Sequence, residues 1–310
     1  MVNFNIAEMK GVIPAMITSF HKNEELNEQG LRDCINFLIS KNVNGLYITG
    51  STGEFFSMTA EERKRVVEIT VDEVRGRIPI VAHIGSIGTH VSIELAQHAQ
   101  TVGVDGIASL PPFFYGFSNK QIFDYYNDIA SSTDLPLIVY NIDNAGLMGF
   151  DMLKKLSSIN NVIGVKYTAT THFDIMRIKK EIGNHFIVYS GTDEMAMSGL
   201  LSGADGIIGS FYNLMPETFL SIKKALENND VQKAKSLQEK ANIVIFFSLT
   251  RQSAFAIIKR GMEWQGANAG YCRRPIRNYE NQESENKLIN EFKELKKTHD
   301  LSGINFLELI

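Results

Sequence analysis

Lys166 lies inside the apolar run Val-Ile-Gly-Val-Lys-Tyr-Thr at 162–168. An ammonium group within a packed interior is costly unless it is paired or gives up its proton, so a lysine so placed is suited to chemistry. The chemistry that fits is imine formation, in which a neutral amine attacks a carbonyl carbon. Strand alternation sets Gly164, Lys166 and Thr168 on one face and Ile163, Val165 and Tyr167 on the other, with the glycine leaving room beneath the amine. The competing reading is a lysine at a strand end whose head reaches water or a carboxylate.

Other residues able to do chemistry close similar apolar runs. Tyr140 and Asn141 end Leu-Pro-Leu-Ile-Val-Tyr-Asn-Ile, GSTGE (50–54) follows a run at 44–50, GTDE (191–194) follows another, and Ser210 lies in Gly-Ile-Ile-Gly-Ser-Phe-Tyr. Once Lys166 has condensed with a 2-keto acid, the protonated imine withdraws electrons, and a carbon–carbon bond two atoms away breaks to leave an enamine. No metal or cofactor is required. A proton must move during that step, and the phenol of Tyr140 is a candidate shuttle, against the plainer reading of a packed core tyrosine. Ser51 and Thr52 bring hydroxyls, and the flanking glycines let backbone amides approach, which suits a substrate carboxylate. The same turn also reads as a simple connector in which Glu54 or Thr59 starts the next helix. It lacks the length and the lysine of a nucleotide-binding loop. Asp193 and Glu194 either accept hydrogen bonds from sugar hydroxyls or serve a helix dipole. Histidines at 21, 83, 90, 98, 172, 185 and 299 show no metal-ligand spacing with acids, so a metal-dependent hydrolase is disfavoured.

These residues need elements to hold them. Runs rich in Val, Ile, Leu and Tyr recur at 11–18, 44–50, 79–85, 105–111, 135–142, 162–168, 185–191 and 206–212, each followed by an amphipathic stretch. Thr59 with Glu62 forms a capping-box signature, and a second helix, from Ser118 to Ile129, begins with a similar polar cap. Eight strands alternating with helices predict a (β/α)8 TIM barrel over residues 1–225, and the chemistry then gathers at the carboxyl ends of the strands. Beyond that point the strand signal stops. Helical spacing through Val231, Ala234 and Leu237, then Phe255, Ile258 and Met262, then Leu288, Phe292 and Leu295 predicts a C-terminal helical extension over 226–310, with no flexible linker before it and no catalytic constellation of its own.

The 310 residues are 44% hydrophobic with a formal net charge of −4, ample for a large core and without the basic footprint of a nucleic-acid binder. The first ten residues lack the pattern of a signal peptide, no later apolar run approaches the length of a membrane span, and the two cysteines, Cys34 and Cys272, make no disulfide framework or metal pair. The expectation is a cytoplasmic enzyme with a small-molecule substrate, no nucleic-acid partner and no membrane partner.

GSTGE at 50–54, YN at 140–141, GVKYT at 164–168, SGTDE at 190–194 and GADGIIGSFYN at 203–213 occur together and in order. On these motifs the chain resembles the N-acetylneuraminate lyase and dihydrodipicolinate synthase family of lysine-dependent aldolases, from about Gly11 into the helical tail. Within it the chain looks most like the sialic acid lyases, which cleave N-acetylneuraminate reversibly to pyruvate and N-acetylmannosamine. The resemblance implies that Lys166 forms the Schiff base and Tyr140 shuttles the proton. It further implies that Ser51 and Thr52 hold the substrate carboxylate and that Thr168, Gly191, Asp193, Glu194 and Ser210 contact the sugar portion. A barrel with a helical extension, assembled as a homotetramer, is implied as well. Departures from the family pattern are Ala145 near the expected arginine of the synthases, Asp143 in place of a proline, Phe114 where many relatives carry a relay tyrosine, and Phe211 where lyases often have threonine. A 2-keto-3-deoxy sugar acid aldolase, a dihydrodipicolinate synthase and a non-catalytic binder of sugar acids remain the alternatives.

Overall fold

A computed structural model describes residues 4–310. Eight parallel strands alternate with helices: β1 (Gly11–Pro14), α1 (Glu28–Ser40), β2 (Leu46–Ile48), α2 (Ala60–Val74), β3 (Ile80–His83), α3 (Thr89–Val102), β4 (Gly106–Ser109) and α4 (Asn119–Ser131) in the first half. The second half continues with β5 (Leu137–Ile142), α5 (Phe150–Leu156), β6 (Val162–Thr168), α6 (Phe173–Glu181), β7 (Ile187–Ser190), α7 (Ala196–Leu201), β8 (Gly206–Gly209) and α8 (Pro216–Glu227). The sheet runs β1-β8-β7-β6-β5-β4-β3-β2, and a parallel bridge between Ala15 and Tyr47 joins its two ends. The result is the expected (β/α)8 barrel. Helices α9 (Val231–Leu249), α10 (Ala254–Trp264) and α11 (Gln282–His299) follow it.

The alternation of the strands sorts their side chains into two cores. Leu46, Ile48, Ala82, Ile107, Leu137, Val139, Val165, Tyr167, Val188 and Ile207 face outward and pack with the helices. Ile13, Tyr47, Val81, Ala108, Ile138, Tyr140, Ile187, Tyr189 and Ile208 fill the barrel interior. Lys166 lies between the outward Val165 and Tyr167 and shares the interior with the second group. A β-bulge interrupts the alternation lower on β6: Leu137 pairs with Val162 but Ile138 pairs with Gly164, so Ile163 is the extra residue. Ile163 consequently packs against the interior cluster, not with Val165 as simple alternation predicts. Gly164 also has a different reason from the one expected. A Cβ there would stand 2.4 Å from the carbonyl oxygen of Ile187, so the glycine permits close approach of β7.

The predicted capping box at Thr59 forms, and the polar cap expected at Ser118 is a second one. The Thr59 hydroxyl accepts from the Glu62 amide while the Glu62 carboxylate accepts from the Thr59 amide, and Ser118 with Gln121 repeats the arrangement.

Candidate active site

Lys166, on the inner face of β6, is 4% exposed. Its Nζ stands 3.9 Å from the ring centroid of Tyr140 on β5 and 4.9 Å from that of Tyr47 on β2. A second buried lysine shows what a structural role looks like in this fold. Lys259 of α10, 1% exposed, donates to the Glu54 carboxylate at 2.6 Å, to Thr18 O at 2.7 Å and to Tyr271 O at 2.6 Å, so all three of its protons are engaged. Lys166 faces aromatic rings and a cavity instead.

That cavity, of about 440 Å³, is open at the carboxyl ends of the strands and lined by Ser51, Thr52, Tyr140, Lys166, Thr168, Gly191 and Ser210, all seven expected from the sequence. Two loops must be strained or empty for this to happen. Thr49, at the end of β2, has φ +53°, and Glu54 has φ +61°. Left-handed backbone at non-glycine residues costs on the order of 1–3 kcal/mol each, so surrounding contacts must hold it. The Thr49 hydroxyl donates to His83 O at 2.8 Å and its carbonyl lies 3.0 Å from His83 Nδ1. Glu54, wholly buried, is gripped by Lys259 and by the amide of Arg273 at 2.8 Å. Between these two fixed points the hydroxyls of Ser51 and Thr52 are carried to the cavity, where Thr52 Oγ1 lies 2.7 Å from Ser210 Oγ. Glu54 thus anchors the turn, and the helix-starting role falls to Thr59 alone.

At β7 the requirement is space. A Cβ on Gly191 would sit 1.9 Å from Thr168 Oγ1 and 3.3 Å from Lys166 Cε. Glycine here lets β6 present both side chains beneath the loop. The Thr168 hydroxyl is buried without a hydrogen-bond partner, an unsatisfied group beside the amine that a ligand oxygen would satisfy.

Asp193 and Glu194 are placed differently. Neither lines the cavity wall. Asp193 Oδ2 accepts the Phe211 amide at 2.7 Å, behind Gly209, where a Cβ would collide with Asp193 Oδ1 at 1.9 Å. Its carboxylate therefore shapes the loop bearing Ser210. Burial, with a contribution from Glu194, raises its pKa to about 7 against the pull of the Phe211 amide and the Lys166 charge. The Glu194 carbonyl is held by Asn242 of α9 at 3.0 Å, and the Asp193 carbonyl by Gln238 at 3.1 Å.

Below the amine, His83 is neutral. Its Nδ1 donates to Thr49 O, its Nε2 accepts the Leu110 amide at 3.3 Å, and burial, then Arg63 and Lys166, hold its pKa well below the usual range. Asn141 turns away from the cavity and closes the following loop, donating to Met148 O at 2.9 Å and accepting from Met148 N at 2.8 Å.

Of the positions where the chain departs from the family pattern, Ala145 alone lines the cavity. Phe114 is 95% exposed with φ +81°, while its neighbour Phe113 forms cavity wall. Phe211 packs in the outer core, and Asp143 lies on the surface. The remaining walls include Phe55, Phe56, Leu110, Ile142, Asn144 and Phe255, which escape sequence reasoning. Alternation along β5 makes Ile142 inward-facing, but nothing local marks Phe255, which comes from α10.

The profile of the dihydrodipicolinate synthetase family matches residues 8–294. N-acetylneuraminate lyase 2 of Escherichia coli O6:H1 is 39% identical over 275 residues, 87% of this chain and 89% of that protein. The crystal structure of CdNal from Clostridium difficile in complex with mannosamine superposes with a TM-score of 0.87 at 34% identity, covering 94% of this chain and 99% of that one. A catalytic lysine mutant of Ruminococcus gnavus sialic acid aldolase gives a TM-score of 0.89 at 28% identity, covering 98% of each chain.

Proposed function

Since the chain belongs to the dihydrodipicolinate synthetase family, we propose that it is an N-acetylneuraminate lyase whose Schiff base forms on Lys166. The observation that carries the reading is a buried lysine without a carboxylate partner, its nitrogen opening into a cavity beside the Tyr140 ring. The amine attacks C2 of the open-chain 2-keto acid, and loss of water leaves the protonated imine. Tyr140, having given its phenolic proton to the hydroxide that leaves as water during imine formation, takes the proton of the C4 hydroxyl, the C3–C4 electron pair moves toward the iminium nitrogen, and that bond breaks to release the aldehyde N-acetylmannosamine. The reformed Tyr140 phenol protonates the enamine at C3, and water then adds to the imine, returning a proton to Tyr140, freeing pyruvate and regenerating Lys166. Ser51 and Thr52 hold the carboxylate. Thr168, Gly191 and Ser210 receive the sugar portion, Asp193 fixes the loop bearing Ser210 through the Phe211 amide, and Glu194, half-buried on the same loop as Gly191, meets the sugar hydroxyls.

The cavity lining favours this reaction over a synthase acting on a second carboxylate. Ala145 occupies the wall where an arginine would be needed, and Lys166 is the one cation among the lining residues described. Assembly as a homotetramer in the cytoplasm completes the proposal. Phe114 at 95% and Tyr115 at 75% exposure beside the cavity mouth support burial against another subunit. Among the described residues no single helix is long and apolar enough to cross a membrane. Light scattering coupled to size exclusion tests the assembly.

The deciding experiment is intact mass after incubation with N-acetylneuraminate, or with pyruvate, plus borohydride, with peptide mapping and a parallel assay for released pyruvate. A reduced pyruvyl adduct on Lys166 together with pyruvate release is expected. An adduct without cleavage would redirect the substrate to another 2-keto sugar acid, and no adduct would overturn the aldolase mechanism.

A further inference from the structure

The cationic imine needs an electrostatic partner, and the barrel supplies no carboxylate at ion-pairing distance from Lys166 Nζ among the described residues. The Asp193 carboxylate is turned to the Phe211 amide, and His83 is locked as a neutral imidazole between Thr49 O and the Leu110 amide. Two ring faces meet at the nitrogen instead. Tyr140 lies 3.9 Å and Tyr47 4.9 Å from it, centroid to Nζ, and the two rings stand at 79° to one another, 6.1 Å apart. A desolvated cation over an aromatic face gains more than it would in water, because the negative ring face is not screened.

Tyr140 borders the substrate cavity, but Tyr47 does not. It is fully buried, and its hydroxyl has no hydrogen-bond partner. A tyrosine whose polar end is idle and whose face is aimed at the reacting nitrogen is being used for its ring. We propose that Tyr47 stabilises the protonated imine at Lys166 through its ring face, with no part played by its hydroxyl. The inference rests on the assignment of Lys166 as the imine-forming residue. It explains how a buried cation is tolerated during turnover without a protein carboxylate at the nitrogen.

The test is a titration with pyruvate, trapping the imine with borohydride and reading the half-saturating pyruvate concentration by mass. Tyr47→Phe is expected to stay within about twofold of the unmodified protein and to melt at the same or a higher temperature, since it removes an unsatisfied buried hydroxyl. Tyr47→Leu is expected to raise the half-saturating concentration about 2- to 30-fold. Where Tyr47→Leu fails to fold, phenylalanines of increasing ring fluorination installed at position 47 keep the shape and drain the face. The half-saturating concentration should then rise with each fluorine. A flat fluorination series, or a phenylalanine variant as impaired as the leucine one, overturns the role of the ring. Absence of any adduct in the unmodified protein would instead overturn the assignment of Lys166, and this inference with it.

Discussion

Two lysines are buried among the described residues, Lys166 on β6 and Lys259 on α10, and replacing each by methionine should give opposite results. Lys259→Met removes a charge that satisfies the wholly buried Glu54 carboxylate at 2.6 Å and two carbonyl oxygens, Thr18 O and Tyr271 O. Glu54 would keep only the Arg273 amide, at 2.8 Å. Breaking one side of a buried ion pair destabilises by about 3–5 kcal/mol, since an uncompensated charge stays in the interior. Lys166→Met breaks no ion pair. It gives up contact with two ring faces, worth about 0.5–2 kcal/mol, and at the same time removes an amine that is expensive to desolvate. Its stability should lie within about 1 kcal/mol of the unmodified protein, while cleavage of N-acetylneuraminate is abolished. Urea unfolding at neutral pH, read by tryptophan fluorescence and circular dichroism, compares the two. Adding Glu54→Gln to Lys259→Met should recover about 0.5–3 kcal/mol relative to the sum of the single changes. A Lys166→Met protein destabilised by 3 kcal/mol or more would mean that this lysine has a structural partner, and the reasoning that makes it a free nucleophile would fail.

Tyr140→Phe should still trap pyruvate with borohydride while its turnover falls roughly 100- to 10,000-fold, the range for loss of a general acid–base group, as read by steady-state cleavage assays. Gly191→Ala places a methyl 1.9 Å from Thr168 Oγ1 and 3.3 Å from Lys166 Cε, so cleavage should drop about 100-fold, with partial recovery when Thr168→Ala is added. Asp193 has its folded-state pKa raised to about 7, above the ordinary aspartate value of about 3.9, so the folded protein keeps that proton when the unfolded chain has lost it. Its contribution to stability is therefore fully present below about pH 4 and declines as pH rises to about 7. Asp193→Asn, which keeps an acceptor for the Phe211 amide, should gain stability relative to the parent on going from pH 5 to pH 8, by urea unfolding at both.

Much of this architecture is legible in the chain because burial imposes a period that sequence displays. Each strand of a closed barrel is covered on both sides, so it reads as a short apolar run, and a polar residue inside such a run must face either the interior or the rim. That logic finds Lys166 and Tyr140, and it places the rim residues at 51, 52, 168, 191 and 210. It fails where the backbone departs from the period. Nothing in a β-branched threonine announces the left-handed conformation of Thr49, and the bulge that turns Ile163 inward leaves no compositional trace. It fails again where partners are remote. Glu54 and Lys259 are 205 positions apart, so the acid reads as a helix starter until the two are seen together. Phe113 and Phe114 are indistinguishable by type, and only the +81° twist at Phe114 decides which of them forms the cavity wall.

The helical extension takes part in the site through backbone, side chain and charge at once. Lys259 of α10 fixes the turn that carries Ser51 and Thr52, and Phe255 on the same helix forms cavity wall. Gln238 and Asn242 of α9 hold the carbonyls of Asp193 and Glu194, and Gln238 also accepts the Met197 amide at the head of α7. Arg273, beyond α10, bonds both oxygens of Glu62, the acid that completes the cap of α2. A barrel alone can align strands, but its rim loops have exposed backbone and little apolar surface with which to fix themselves. Here the extension supplies those fixings for the β2 and β7 loops, which bear the carboxylate-binding hydroxyls and the glycine above the lysine. Precision at the reacting nitrogen is therefore set as much by the helices after residue 230 as by the strands that carry the chemistry.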